Sequence, residues 1–150
     1  MSLPKNILVP TDFSRGADEA LDLAIDLAAK LGAKVTVLHA YELPVIGIPD
    51  GVLVPPADLA GHILSSAQDA LEKTVAARKN DAKSRGVELD SALKNGEARV
   101  TILGFAKETN VDLVVMGTHG RRGLAHLLLG SVAEYVVRTS PIPVLTVRSK

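Results

Sequence analysis

Residues 6–40, NILVPTDFSRGADEALDLAIDLAAKLGAKVTVLHA, hold two short apolar runs joined by one amphipathic stretch. Ile7-Leu8-Val9 shows no polar alternation and is closed by Pro10, the pattern of a strand buried on both faces. Thr11-Asp12-Phe13-Ser14 follows as a polar turn. Leu21, Ala24, Ile25, Ala28 and Leu31 then recur at helical spacing, with Asp18, Asp22, Asp26 and Lys30 opposite as a solvated stripe. Gly32 ends that helix, and Val35-Thr36-Val37-Leu38-His39-Ala40 reads as a second strand. A strand, a helix and a second strand in this order form the unit from which parallel sheets are built.

The same alternation runs through the rest of the chain. Ala57 to Arg85 reads as the longest helix, with Leu59, Ile63, Ala67, Leu71 and Val75 every four residues, and Gly86 ends it. Val87, Leu89, Ser91 and Leu93 alternate with Glu88, Asp90, Ala92 and Lys94; one wetter face places this strand at a sheet edge. A helix after Gly96 carries Ala98, Ile102, Phe105 and Ala106 on one face. Val111–Met116 is again a strand, Val132 to about Thr139 a short helix, and Pro143–Arg148 the last strand. Residues 41–56 (YELPVIGIPDGVLVPP) hold four prolines and two glycines and keep neither period. They read as a loop, either a flap packed on the sheet edge or a lid over a site. The expected fold is a single α/β domain over residues 1–150: an open five-stranded parallel sheet with helices on both faces, Rossmann-like.

Composition narrows the function. A chain of 150 residues buries about 68–70% of its unfolded surface without help. It has no Cys, so disulfide scaffolds, Cys-type zinc sites and thiol nucleophiles are excluded. Lys+Arg and Asp+Glu both number 17, and aromatics make up 3% with no Trp, so neither a basic field nor base-stacking platforms point to nucleic acid. No apolar run approaches the roughly 20 residues that cross a bilayer. The N-terminal apolar stretch is too short for a signal peptide, which makes the cytoplasm the expected compartment.

Ligands of open parallel sheets bind beyond the carboxyl ends of the strands, where strand order reverses. Two segments occupy such ends: Pro10-Thr11-Asp12, and Gly117-Thr118-His119-Gly120-Arg121-Arg122-Gly123 continuing to Gly130-Ser131. The second holds four glycines, two arginines and two histidines before a helix that Ser131 opens. Backbone N–H groups exposed by glycine, together with a helix N-terminus, make an anion cradle suited to a polyphosphate. It is neither a Walker A loop nor Gly-x-Gly-x-x-Gly. A purely structural reading stands beside it. Ser131-Val132-Ala133-Glu134 fits a capping box, Arg121 and Arg122 could be solvated, and Asp12 could be an ordinary turn or N-cap residue. His119 and His126 lack a further ligand at metal spacing, so no metal site is expected. No nucleophile is paired with a base.

Gly117-x2-Gly120-x9-Gly130-Ser131 resembles the glycine signature of ATP-binding universal stress proteins. Asn6–Asp12 is similar to that family's first strand and turn, Asp112–Gly120 to its fourth strand, and Leu128–Glu134 and Pro143–Val147 to its end. The fit is weakest across residues 41–60. The resemblance implies a sheet order of 3-2-1-4-5 and ATP, with Mg²⁺ on its phosphates, as the ligand. It implies that Pro10, Thr11 and Asp12 meet the adenosine portion, Asp12 directly, and that Ala40 lines an adenine pocket beside Met116. Gly117, Gly120, Gly130 and Ser131 would hold ribose and phosphates, with His119 and Arg121 beside them and Val132 and Ala133 adding backbone contacts. Ala40 is smaller than the valine often found there, and Ala133 stands where some members carry a hydroxyl. The resemblance further implies a stress-response homodimer paired through the C-terminal strand, where Val144, Leu145 and Val147 leave an apolar edge. Hydrolysis is expected to be slow or undetectable, since no carboxylate is clearly placed to activate water. An enzyme of the wider adenine-nucleotide group that cleaves between α- and β-phosphates is the rival. Such enzymes carry Ser-Gly-Gly-x-Asp-Ser after the first strand, where this chain has Thr11-Asp12-Phe13-Ser14. A stress protein acting only through protein contacts is the third reading.

Overall fold

The computed structural model describes residues 2–119 and 129–150. Eleven elements follow in order within them: β1 (Asn6–Pro10), α1 (Arg15–Leu31), β2 (Lys34–Tyr41), β3 (Ile46–Ile48), β4 (Gly51–Leu53), α2 (Ala57–Ser84), β5 (Leu89–Asn95), α3 (Ala98–Glu108), β6 (Leu113–Gly117), α4 (Ser131–Thr139) and β7 (Val144–Val147). The main sheet has five strands in the order β5-β2-β1-β6-β7, and every pairing is parallel. With the two hairpin strands set aside, this is the expected 3-2-1-4-5 order. β5 lies at one edge, as its period of two predicts, and β7 at the other.

Strand alternation divides the core in two. Ile7, Val9, Val35, Val37 and Val115 face α1 and α2, packing with Ala20, Leu21, Ala24, Ile25 and Leu71. Leu8, Leu38, Val114 and Met116 face the other way and meet Ile102, Ala106, Ala133 and Val136 of α3 and α4. The central strands are wholly buried because both faces are covered, which is why their sequences carry no polar alternation.

Helix α1 begins at Ser14, whose Oγ accepts the Ala17 N–H at 3.2 Å, and ends at Gly32, whose φ of 63° sets the left-handed cap. Its acidic stripe is not simply solvated. Asp22 receives Arg78 Nε of α2 at 2.6 Å and Asp26 receives Arg85 at 2.7 Å, tying the two helices along their rim. Hydrogen bonds that Arg85 donates to the Asp26 and Asp81 carboxylates raise its guanidinium above its ordinary pKa.

Residues 41–56 also differ from expectation. Ile46–Ile48 and Gly51–Leu53 pair as an antiparallel hairpin, and Val45, Ile46, Ile48, Val52, Leu53 and Val54 are all exposed. The segment is therefore not a flap packed on the sheet edge. Pro49-Asp50 turns the chain, and Gly51 takes the positive φ of 148° that follows. Leu59 is exposed too, so the apolar stripe of α2 meets the core only from its third turn, at Ala67 and Leu71.

Candidate functional site

The strand order reverses between β1 and β6, whose carboxyl ends lie side by side. After β1, Thr11 is buried, and its N–H donates to Leu38 O at 2.8 Å. Its Oγ1 accepts the Phe13 N–H at 3.0 Å, and Asp12 Oδ1 accepts the Ser14 N–H at 3.0 Å. Asp12 is thus the acceptor of an Asx turn, while Ser14 is the N-cap of α1. These bonds fix the Pro10-Thr11-Asp12 backbone above the sheet.

After β6, Thr118 does the corresponding work. Its N–H donates to Val147 O at 3.0 Å, and its carbonyl accepts the Gly130 N–H at 2.6 Å. That second bond draws the start of α4 against the end of β6, although the two are distant in sequence. Thr118 is buried and its Oγ1 lies 2.9 Å from His119 Nδ1. The residue type of Thr118 does not signal this role, because these bonds are made by backbone groups, which any residue type supplies.

The start of α4 corrects the capping-box expectation. Gly130, not Ser131, is the N-cap, with φ −71° and ψ 166°, and no side chain caps the helix. The Glu134 N–H donates to Gly130 O at 2.9 Å, and the Glu134 carboxylate pairs with Arg138 instead of reaching back. Ser131, Val132 and Ala133 are therefore the first helical residues, whose N–H groups have no intrahelical acceptor. They carry the positive end of the helix dipole toward the β1 and β6 ends.

Gly117 has a structural reason of its own. A Cβ there would lie 2.8 Å from Gly16 C and 3.0 Å from Gly16 O, so α1 crosses the end of β6 with backbone against backbone. Gly16 answers it from α1, and its position at the helix start was the available signal. Met116 is buried on the α3/α4 side, and Ala40 follows Leu38 onto that side by alternation. Pro10, Thr11, Asp12, Ala40, Met116, Gly117, His119, Gly130, Ser131, Val132 and Ala133 all belong to strand ends or to the start of α4. Gly120 and Arg121 lie outside the described residues, as do Arg122, Gly123 and His126. Among the described residues, no three His, Asp or Glu side chains gather as a metal site, and no helix is long and apolar enough to cross a membrane.

The universal stress protein family model matches residues 4–148. The chain belongs to the universal stress protein family. A universal stress protein of Methanocaldococcus jannaschii is 35% identical over 150 residues, covering 98% of this chain and 84% of the relative. Among solved structures, universal stress protein UspA from Lactobacillus plantarum superposes with a TM-score of 0.82 at 26% identity, covering 99% of this chain and all of that one. A universal stress protein solved in complex with cAMP gives a TM-score of 0.71 at 26% identity, covering 99% of this chain and 100% of that one. The five-stranded order and the flanking helices of this universal stress protein are thus the family's own fold, and a relative of that fold holds an adenine nucleotide.

Proposed function

We propose that this universal stress protein binds ATP at the junction of β1, β6 and α4 and acts in the stress response as a nucleotide-responsive homodimer in the cytoplasm. The observation that carries the reading is the uncapped start of α4, held against the end of β6 by the Gly130–Thr118 hydrogen bond. Three N–H groups and a dipole end aimed at a strand-order reversal suit a polyphosphate. The cAMP complex of a relative supports the adenine part of the ligand. Asp12 would meet the ribose or base, Ala40 and Met116 the adenine, and Gly130, Ser131, Val132 and Ala133 the phosphates, with Gly120 and Arg121 beside them. Mg²⁺ would be carried on the phosphate oxygens, with water completing its shell.

The Asp12 carboxylate, engaged in the turn, is the one carboxylate at the junction among the proposed contacts. Turnover is accordingly slow or absent. Pairing through β7 is supported by its place at the sheet edge and by Leu145, 37% exposed there. Sedimentation at micromolar concentration that shows only monomer overturns the dimer.

Calorimetry with ATP tests the site. Gly130→Val places a branched side chain at the cap, and Ser131→Ala removes a hydroxyl. Hydrogen bonds to charged groups contribute about 1.5–3 kcal/mol each, so the double variant should bind ATP roughly 10²-fold more weakly or worse. Unchanged affinity in a folded double variant refutes the cradle.

A further inference from the structure

Neighbouring residues at the end of β2 point to opposite sides of the sheet. Ala40 follows Leu38 toward α3 and α4, whereas His39 follows Val35 and Val37 toward α1 and α2. On the His39 side a cleft of about 520 Å³ opens between the ends of β1 and β2 and the first half of α2. That volume falls within the roughly 300–1,000 Å³ of small-molecule sites. Phe13, His39 and Tyr41 form one wall, and Ile63, Ala67 and Ala70 the other. Ala40, Met116, Gly117 and Gly130 do not line it; of the described residues proposed to meet ATP, Asp12 alone borders it, so the cleft and the cradle at α4 meet at that carboxylate and otherwise lie on different residues.

The cleft is built, not left over. Phe13 holds a φ of 63°, a conformation costly for a bulky residue, and the turn bonds from Thr11 and Asp12 enforce it. The result sets the Phe13 ring 4.4 Å from that of His39, tilted by 40°. His39 is oriented in turn: its Nδ1 lies 2.8 Å from Thr11 O. A carbonyl only accepts, so Nδ1 carries the proton, and in the uncharged ring Nε2 on the opposite edge is an acceptor. Across the cleft from these aromatic rings, α2 presents the small side chains of Ala67 and Ala70.

The charge of the lining decides the class of ligand. Among the described residues no Lys or Arg borders the cleft and Asp12 is the one carboxylate, a lining that favours an uncharged ligand over an anion. Ser66 and His62 at the rim are exposed and polar. We propose that this cleft is a second binding site, for an uncharged planar aromatic molecule bearing a hydrogen-bond donor, of the phenol or indole class, with its ring on Phe13 and His39 and its donor on His39 Nε2. The inference does not rest on nucleotide binding at α4.

The test is a titration of the isotope-labelled full chain with indole, followed by amide NMR shifts, and in parallel with benzofuran, which keeps the shape and lacks the N–H. Saturable shifts at Phe13, Ala67 and Ala70, with a dissociation constant of about 1 mM or tighter, are expected for a ligand of this size. Benzofuran should bind roughly tenfold more weakly, as should indole to His39→Phe, for want of one hydrogen bond. Ser66→Phe, an exposed substitution that leaves the core untouched, should block the mouth and abolish the shifts. Excess ATP should leave the shifts at Ala67 and Ala70 in place. The proposal is overturned by an absence of saturable shifts, by shifts centred on Met116 and Gly130, or by displacement of indole by ATP. Equal binding of indole and benzofuran overturns it as well, and so does unchanged indole binding in Ser66→Phe.

Discussion

Gly117→Ala adds one carbon where α1 crosses the end of β6. That carbon would sit 2.8 Å from Gly16 C, 3.0 Å from Gly16 O and 3.2 Å from Ala17 N. Carbon pairs prefer about 3.5–4.0 Å, so α1 must retreat by about 0.7 Å. No side chain can rotate away, because the atoms met are backbone. The helix is also anchored along its length by Ala20, Leu21, Ala24, Ile25 and Ala28, all buried against the sheet. Overpacking of this kind costs about 1–3 kcal/mol, and a backbone-on-backbone contact belongs at the upper end. For a domain of this size each kcal/mol lowers Tm by about 2–4 °C, so a fall of roughly 4–12 °C is expected. Urea unfolding should show a lower midpoint with an unchanged slope, since the surface exposed on unfolding is the same. Gly16→Ala should cost less, because its new carbon meets Ser149 Oγ at 3.1 Å and His119 O at 3.2 Å, and the serine can move. A Gly117→Ala protein within about 0.5 kcal/mol of the parent would refute the close crossing. The glycine would then owe its presence to the ligand.

Other consequences are smaller and differ in sign. Gly61 and Gly104 lie inside α2 and α3 with nothing within 4 Å of a new Cβ. Their replacement by Ala should each raise stability by about 0.5–1 kcal/mol in thermal unfolding. Asp22→Ala and Asp26→Ala remove the rim pairs with Arg78 and Arg85, and each should cost less than about 1 kcal/mol, fading as salt is added. Glu97 caps α3 by accepting from the Arg99 and Val100 N–H groups and from Arg99 Nε. Burial alone would raise its pKa, but these donors outweigh it and hold the carboxyl below its ordinary value. A depressed carboxylate stabilises fully above its unfolded pKa of about 4.3 and loses that contribution as pH falls through the folded value. The stability gap between the parent and Glu97→Gln should therefore be constant above about pH 5 and close in acid.

The sheet was legible in the sequence wherever burial is two-sided. Ile7-Leu8-Val9 and Val114-Val115 are completely buried, and such strands can be written only in apolar residues. β5 was legible as an edge for the opposite reason: its alternation of Leu89 and Leu93 with Asp90 and Lys94 survives because one face stays wet. The hairpin was not legible as strands, since three residues a side are too few to show a period. Its turn was on view in Pro49-Asp50-Gly51, between two apolar runs. The Gly16–Gly117 crossing and the His39–Thr11 bond are contacts between distant segments, and no local pattern encodes them.

The start of α4 shows how a one-residue shift changes the meaning of a motif. Ser131 and Glu134 have the capping-box spacing, yet the box requires the serine to precede the helix with extended backbone angles. Gly130 has those angles and accepts the first intrahelical bond, from the Glu134 N–H. Ser131 is thus inside the helix, and its hydroxyl satisfies no N–H of the first turn. Had it been the cap, Ser131→Ala would cost about 1 kcal/mol of stability. From the N1 position, an exposed serine replaced by a better helix former should leave Tm unchanged or slightly raised. Any loss of ATP affinity in that single variant could then not be blamed on a weakened helix. A Tm drop matching the loss of a cap would put Ser131 back outside the helix, one N–H of the first turn would already be satisfied, and the anion cradle would lose a donor.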